Sequence, residues 1–241
     1  MLRLFPQHST IDVGEVYDGL DLATLAPATR PYVIVNMVAT ADGQARVGGD
    51  TAELGNATDM KLFAKLREQV DCVIAGTQTI GIENYNAPAR TEAVRARRAA
   101  AELAPRPYFA TITRSGVLPI AAPLFQDEGI EVIVFSDAEL AIGDAKATIH
   151  QVRETDPAAM LERLRSEFGI RSVLLEGGPR INTAFFAAGL IDELFLTLVP
   201  VLTGAGTPFP IIAGALPARL PLKLLSTLFD EDHLFLRYQV D

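Results

Sequence analysis

Tryptophan is absent from the 241 residues, and cysteine occurs once, as Cys72. A single thiol allows no internal disulfide and no multi-cysteine zinc site. Its setting, Val70-Asp71-Cys72-Val73-Ile74-Ala75, reads as a buried strand position and not as a nucleophile. His8, His150 and His233 lie too far apart in sequence for a local metal motif, and no metal site is assigned. No apolar run reaches the roughly 18 residues of a membrane span, so no membrane association is expected. The start, Met1 to Pro6, lacks the apolar stretch of a signal peptide, and a cytoplasmic setting is expected. Positive charge is also short. Lys and Arg number 21 against 30 Asp and Glu, a net charge of -9 that argues against a nucleic-acid partner. The basic cluster Arg95, Arg97 and Arg98 sits among Glu92, Glu102 and alanines and reads as a solvated helix face.

Hydrophobic residues make up 49% of the chain and mean hydropathy is +0.23, enough for a sizeable core. The most informative stretch is Ser172 to Phe186. Val173-Leu174-Leu175 runs into Glu176, breaks at Gly177-Gly178-Pro179, and gives way to Ile181, Ala184, Phe185 and Ala188 at helical spacing. This is a buried strand, a glycine turn and a helix with proline in its first turn. Bare glycine backbone and the free N–H groups of a helix start suit a diphosphate-bearing cofactor, and they equally suit a plain strand-to-helix turn.

Other elements follow the same rhythm. Residues 1–30 are weakly patterned and read as an extended lead-in. Tyr32 to Val38 is a strand closed by Asp42-Gly43. A polar, glycine-rich loop spans 40–56, and a helix opens at Thr58-Asp59 with Leu62, Phe63, Leu66 and Val70 on one face. Cys72 to Ala75 is a strand leading to the turn at Gly76. An Ala/Arg/Glu helix covers 91–104. Tyr108 to Thr113 is a strand ending at Arg114-Ser115-Gly116, and Ile130 to Phe135 and Thr148 to Val152 are further strands. Asp156 caps a helix that Gly169 stops. Asp192 to Pro200 is a strand, and Leu220 to Val240 form a terminal hairpin about Asp230-Glu231-Asp232. Alternating strands and helices predict an α/β fold with a mostly parallel sheet, its glycine turns gathered at the carboxyl edge.

Taken in order, Leu66-Arg67 with Asp71, Gly76-Thr77-x-Thr79, Glu83-Asn84-Tyr85, Thr113-Arg114-Ser115-Gly116, Glu176-Gly177-Gly178-Pro179 and Asp192-Glu193-Leu194 resemble the reductase domain of riboflavin biosynthesis, a pyrimidine reductase usually fused to a deaminase. The resemblance covers about Arg30 to Tyr238. It implies a dihydrofolate-reductase-like fold, with 1–30 a lead-in and 31–241 the reductase domain. The deaminase signature H-x-E with P-C-x-x-C is absent, and no G-x-G-x-x-G occurs.

The resemblance also implies roles. Ala39 falls at the nicotinamide end of an NADPH cofactor. Gly76, Thr77, Thr79 and Glu83 fall at cofactor contacts, and Thr113 and Ser115 beside the adenosine phosphate. Arg114 suits a 2′-phosphate and hence NADPH over NADH. Gly177, Gly178, Pro179, Arg180, Ile181, Asn182, Thr183 and Ala184 match the diphosphate turn. Arg67 and Arg90 fall where the substrate's ribose phosphate is gripped, with Thr51 and Glu176 near substrate. Glu83 is either the acid of the reaction or an ordinary capping carboxylate, and Arg67 reads equally as a salt-bridging arginine. Departures lie on the substrate side: Glu83 replaces a common aspartate, Asn84-Tyr85 replaces the Asp-Pro that often follows, and Glu53 falls near a common tryptophan. The expected activity is NADPH-dependent reduction of a heterocyclic or sugar-linked imine, first 5-amino-6-(5-phosphoribosylamino)uracil or a related pyrimidine. The alternatives are a dihydrofolate-type pterin reductase and a non-catalytic NADP(H)-binding protein. The family pairing implies a homodimer through Asp192 to Val199 and the terminal hairpin.

Overall fold

The computed structural model describes residues 1–46, 54–204 and 208–241. Thr51 and Glu53, singled out above, lie outside the described residues. In chain order the elements are β1 (Leu2–Phe5), β2 (Ser9–Thr10), β3 (Tyr32–Thr40), α1 (Ala57–Glu68), β4 (Cys72–Ile74), α2 (Thr77–Ile82), α3 (Glu92–Ala100) and β5 (Tyr108–Ile112). There follow β6 (Glu131–Phe135), β7 (Thr148–Val152), α4 (Pro157–Phe168), β8 (Ser172–Leu175), α5 (Pro179–Ala187), β9 (Glu193–Val199), β10 (Leu222–Asp230) and β11 (His233–Val240). The chain divides into two compact units. The first comprises Met1–Leu20, Val33–Leu66 and Pro179–Asp241, and the second Asp21–Tyr32 and Arg67–Gly178.

In the second unit the strand order is β8-β4-β5-β6-β7, and every pairing is parallel. Strands β4 and β8 are buried at every residue, as runs of Val, Ile and Leu covered on both faces should be. Asp71 locks the entry to this sheet: its Oδ2 accepts from the N–H groups of Arg171 (2.8 Å) and Ser172 (3.0 Å) and from the Ser172 hydroxyl (3.0 Å). Helix α4 carries the caps its sequence announces. The Asp156 carboxylate accepts from the N–H groups of Ala158 and Ala159, and Gly169 takes the left-handed conformation at φ 68°.

The first unit orders its strands β2-β1-β10-β11-β9-β3, antiparallel except for the parallel pair β3–β9. The segment read as a lead-in supplies β1, which pairs with β10 and covers what would be an open edge. The hairpin β10–β11 turns at Glu231 and Asp232, with φ of 45° and 66°, the positive pair that a two-residue primed turn requires. Asp192 Oδ2 accepts from Val33 N–H at 2.7 Å, and Glu193 takes both Arg237 Nε (2.6 Å) and Nη2 (2.8 Å). The Asp192-Glu193-Leu194 motif is therefore a fastening of β9 to its neighbours. A small core of Val16, Leu62, Leu228 and Phe235 closes this unit beneath α1.

Three sequence expectations change. Helix α1 starts at Ala57, not at Thr58, because Asn56 Oδ1 accepts from Asp59 N–H at 2.9 Å and is the cap. Helix α3 ends at Ala100 instead of 104: Glu102 takes a left-handed φ of 59°, and Leu103 N–H returns to Arg98 O at 3.0 Å. Arg98 does not belong to a solvated face, for it is 1% exposed. Its Nη1 donates to the carbonyls of Arg67 (3.3 Å), Glu68 (2.9 Å) and Val70 (2.8 Å), and its Nε to Ala104 O (2.9 Å). The carbonyls at the end of α1 have no helical donors, and Arg98 supplies them. Burial lowers its pKa to about 10, so it stays charged at neutral pH. Arg97 lies outward and pairs with Glu68 through both Nε and Nη2.

Arg98→Leu is expected to cost about 3 kcal/mol in urea unfolding, because it strands buried carbonyls, whereas Arg97→Ala should cost about 0.5 kcal/mol as an exposed pair. Equal losses for the two variants would contradict this assignment.

Candidate functional site

Within the second unit, the exits of β4 and β8 are laced together. Gly76 N–H donates to Gly177 O at 2.9 Å, and the Thr111 hydroxyl donates to Ala75 O at 2.8 Å. Gly177 has φ +85°, and the peptide joining it to Gly178 is cis. A Cβ on Gly178 would stand 3.0 Å from Thr79 Oγ1, tighter than ordinary contact. Glycine keeps the backbone bare beside a hydroxyl here, which is the arrangement a closely approaching ligand needs. Gly76, Thr79, Gly177 and Gly178 are thus brought together.

Beyond β5 a separate tight turn forms. Thr113 is 5% exposed, its N–H donates to Phe135 O (3.0 Å) and its hydroxyl to Val117 O (3.1 Å). Ser115 Oγ lies 3.4 Å from Thr113 Oγ1 and accepts from Val117 N–H at 3.3 Å. Gly116 has φ +75°, and a Cβ there would meet Glu139 O at 1.9 Å, so the turn tolerates no side chain. Arg114 and Ser115 are exposed.

At the end of α1, Arg67 Nε donates to Glu176 Oε1 and Nη2 to Oε2, both at 2.6 Å. The pair is lopsided: the Glu176 side chain is 1% exposed and that of Arg67 is 18%. Tyr85 joins them, with Arg67 Cζ 5.2 Å from its ring centroid. Burial alone would lower the Arg67 pKa, but the Glu176 carboxylate outweighs it and holds the cation above its ordinary value. Burial first, and then the Glu176 charge, pushes the Tyr85 hydroxyl well above its ordinary value. Of this group, Arg67 is the member that reaches solvent, over a buried counter-charge.

The remaining predicted residues of this unit lie on α2 and the loop beyond it. Glu83 ends α2, half-buried, with its N–H donating to Thr79 O at 2.9 Å. Thr77 opens α2 after Gly76. Arg90 is exposed, donates to Asn86 Oδ1 at 2.9 Å, and lines a cleft of about 390 Å³ with Asn86, Gln126, Asp127 and Lys146. Neither Arg67 nor Glu176 lines this cleft.

In the first unit Ala39 is 3% exposed near the end of β3. The loop beyond it is organised by Asp42, whose carboxylate accepts from the Thr40 hydroxyl (2.5 Å) and from the N–H groups of Thr203 (3.1 Å) and Gly204 (2.8 Å). These bonds, the Thr40 hydroxyl foremost, lower its pKa from 3.8 to about 2. Along α5, Arg180 and Ala184 are exposed while Ile181 and Asn182 are buried. Asn182 Nδ2 donates to Ile211 O (3.0 Å), and the Thr183 hydroxyl donates to Pro179 O (2.7 Å) and Ala213 O (3.1 Å). Asn182 Oδ1 is buried and has no hydrogen-bond partner among the described residues.

Tyr85 and Asp42 are the residues that sequence reasoning did not place in a site. Asp42 was noted as a turn residue, and its carboxylate reaches partners 161 and 162 residues away, which no local pattern reveals. Tyr85 carried one signal, an aromatic ring inside an otherwise polar loop.

Residues 31–233 match the RibD C-terminal domain. Among curated relatives, the 2,5-diamino-6-ribosylamino-4(3H)-pyrimidinone 5′-phosphate reductase of Methanothermobacter thermautotrophicus is 27% identical over 88% of this chain and 99% of its own length. The protein of the same name from Archaeoglobus fulgidus is 22% identical over 73% of this chain and 83% of its own. Among solved structures, a pyrimidine reductase-like protein from Corynebacterium diphtheriae superposes with a TM-score of 0.75 at 20% identity, covering 96% of this chain and 99% of that one. The expected fold is the one found. No helix among the described residues is long and apolar enough to cross a membrane.

Because the Asp42 pKa is depressed in the folded state, its contribution to stability is present above pH 3.8 and is lost as the pH falls toward about 2. Asp42→Asn should therefore melt below the wild type at pH 7, with the gap closing across that window in thermal unfolding. A gap independent of pH would contradict the assignment.

Proposed function

The chain belongs to the RibD C-terminal domain family, and on that premise we propose that it is an NADPH-dependent reductase of a ribosylaminopyrimidine 5′-phosphate. The first candidate is 2,5-diamino-6-ribosylamino-4(3H)-pyrimidinone 5′-phosphate, as in the names of its relatives, or the deaminated 5-amino-6-(5-phosphoribosylamino)uracil. One observation carries the reading. The glycine turn of Gly76, Gly177 and Gly178 and the outward cation of Arg67 stand at the exits of neighbouring strands of one unit, β4 and β8. Strand exits are where α/β sheets bind ligands.

The residues fit the cofactor. Bare backbone at Gly178 beside Thr79, and the first-turn N–H groups of α5, which no helical carbonyl serves, suit a diphosphate. Gly76, Thr77, Thr79, Thr113, Ser115, Gly177 and Gly178 are the proposed contacts in the second unit, with exposed Arg114 for a 2′-phosphate. Ala39 and the residues Pro179 to Ala184 are those of the first. When bound, NADPH supplies the hydride that reduces the C=N bond of the ring-opened ribosylamine. Glu83 is the proposed proton donor to the imine nitrogen. Arg67 holds the 5′-phosphate together with Arg90, and Thr51 and Glu176 are assigned to the neighbourhood of the substrate, Glu176 behind Arg67. Residues 31–241 form the reductase domain, and the setting is cytoplasmic, without nucleic-acid or membrane partners.

A homodimer completes the reading. Register places Leu222 and Leu224 of β10 on one sheet face with Leu234, Leu236 and Tyr238 of β11, each exposed or half-buried. An apolar sheet face of this kind is suited to a second copy of the chain.

Titration with NADPH and with NADH, followed by nicotinamide fluorescence, should show binding about ten-fold tighter for NADPH. Turnover of the phosphorylated ribosylaminopyrimidine should then fall about a hundred-fold in Glu83→Gln. Unchanged turnover would remove Glu83 as the acid; turnover of a dihydropterin alone, or of neither substrate, would favour the pterin or the non-catalytic alternative. Light scattering at micromolar concentration should give twice the chain mass, and a monomer would remove the dimer.

A further inference from the structure

The proposed reaction gives Tyr85 no part, yet few side chains of the second unit are held from so many directions. Its N–H donates to Ile80 O at 3.1 Å, and its carbonyl accepts from Leu124 N–H at 2.8 Å. Phe109 meets its ring edge-on, with centroids 6.0 Å apart and planes at 80°. The guanidinium of Arg67 lies over the same ring, with Cζ 5.2 Å from its centroid, and the Glu176 charge acts on the hydroxyl.

This ordering acts on Arg67. An arginine that gripped a ligand from a free stem would lose rotamer freedom at each binding event. Here Glu176 fixes the fork through two bonds, and the Tyr85 ring lies against the guanidinium. Buried ion pairs add little net stability, because desolvation consumes most of the attraction, so preset geometry is the better account of this one. The exposure of the pair points the same way: Glu176 is sealed, and of the two only the Arg67 side chain reaches solvent.

We propose that Tyr85 and Glu176 are positioning residues that preset the Arg67 guanidinium as an anchor for a phosphate monoester, and that Tyr85 sets the preference for phosphorylated over dephosphorylated substrate. The inference rests on the reading of Arg67 as the phosphate anchor. The raised pKa of the hydroxyl agrees with it, since a tyrosine that keeps its proton adds no negative charge beside Arg67.

The test compares kcat/KM for a ribosylaminopyrimidine 5′-phosphate and for its dephosphorylated form, at saturating NADPH, in the wild type, Arg67→Lys, Tyr85→Phe and Tyr85→Leu. Phosphate preference should fall about ten-fold in Tyr85→Leu, mainly through KM, and inhibition by inorganic phosphate should weaken in parallel. Tyr85→Phe, which keeps the ring, should lose only part of it, and it decides the matter if Tyr85→Leu does not fold. A lowered melting temperature with the preference intact would overturn the inference and leave Tyr85 as packing. A wild type without phosphate preference, or one whose preference survives Arg67→Lys, would instead overturn the reading of Arg67 itself.

Discussion

The ion pair of Arg67 with Glu176 is the constraint on which the rest of the site depends. It ties the end of α1 to the exit of β8, at the point where the chain enters its glycine turn. A carboxylate with 1% of its side chain exposed needs its partner in place, since removing one member would leave an unpaired buried charge. Glu176 therefore dictates where Arg67 lies, with the Tyr85 ring against its guanidinium. The turn residues inherit this rigidity, because Gly177 follows Glu176 directly and its carbonyl accepts from Gly76 N–H.

Support for the pair comes from a residue that looks superficial in sequence. Arg98 occupies the end of α1 and bonds the carbonyl of Arg67 itself, besides those of Glu68 and Val70. The two adjacent arginines divide their work by helix geometry. Successive residues of α3 point about 100° apart, so Arg97 reaches Glu68 from the surface while Arg98 turns under it. Asp71 adds a further tie, binding the entry of β8 to the residue before β4.

The first unit solves a different problem. Its loops beyond β3 and β9 are tied by polar side chains, with Asp42 gathering Thr40, Thr203 and Gly204. Asn182 and Thr183 fasten α5 to the backbone near Ile211 and Ala213. Asn182 faces the interior, with its Nδ2 3.2 Å from Met37 Sδ, so in this unit it acts as a fastening of α5.

Much of the fold was legible because its signals are local. The apolar runs of β4, β6 and β8, the Asp156 and Gly169 caps of α4, the proline opening α5 and the terminal hairpin each depend on residues a few positions apart. The order of motifs likewise pointed to the family. What sequence alone left undecided depends on pairs separated by long stretches of chain. It admitted Arg67 as a phosphate grip or as a salt-bridging residue, and the salt bridge it makes is to a partner 109 positions away. It marked Tyr85 only as a departure, and the same pair makes it part of the site. It read Arg98 as solvated, since composition averages over a helix face that tertiary packing resolves residue by residue. Local propensity and spacing determined which elements form; the burial of charge, which depends on what each element meets in space, was decided only by the tertiary structure.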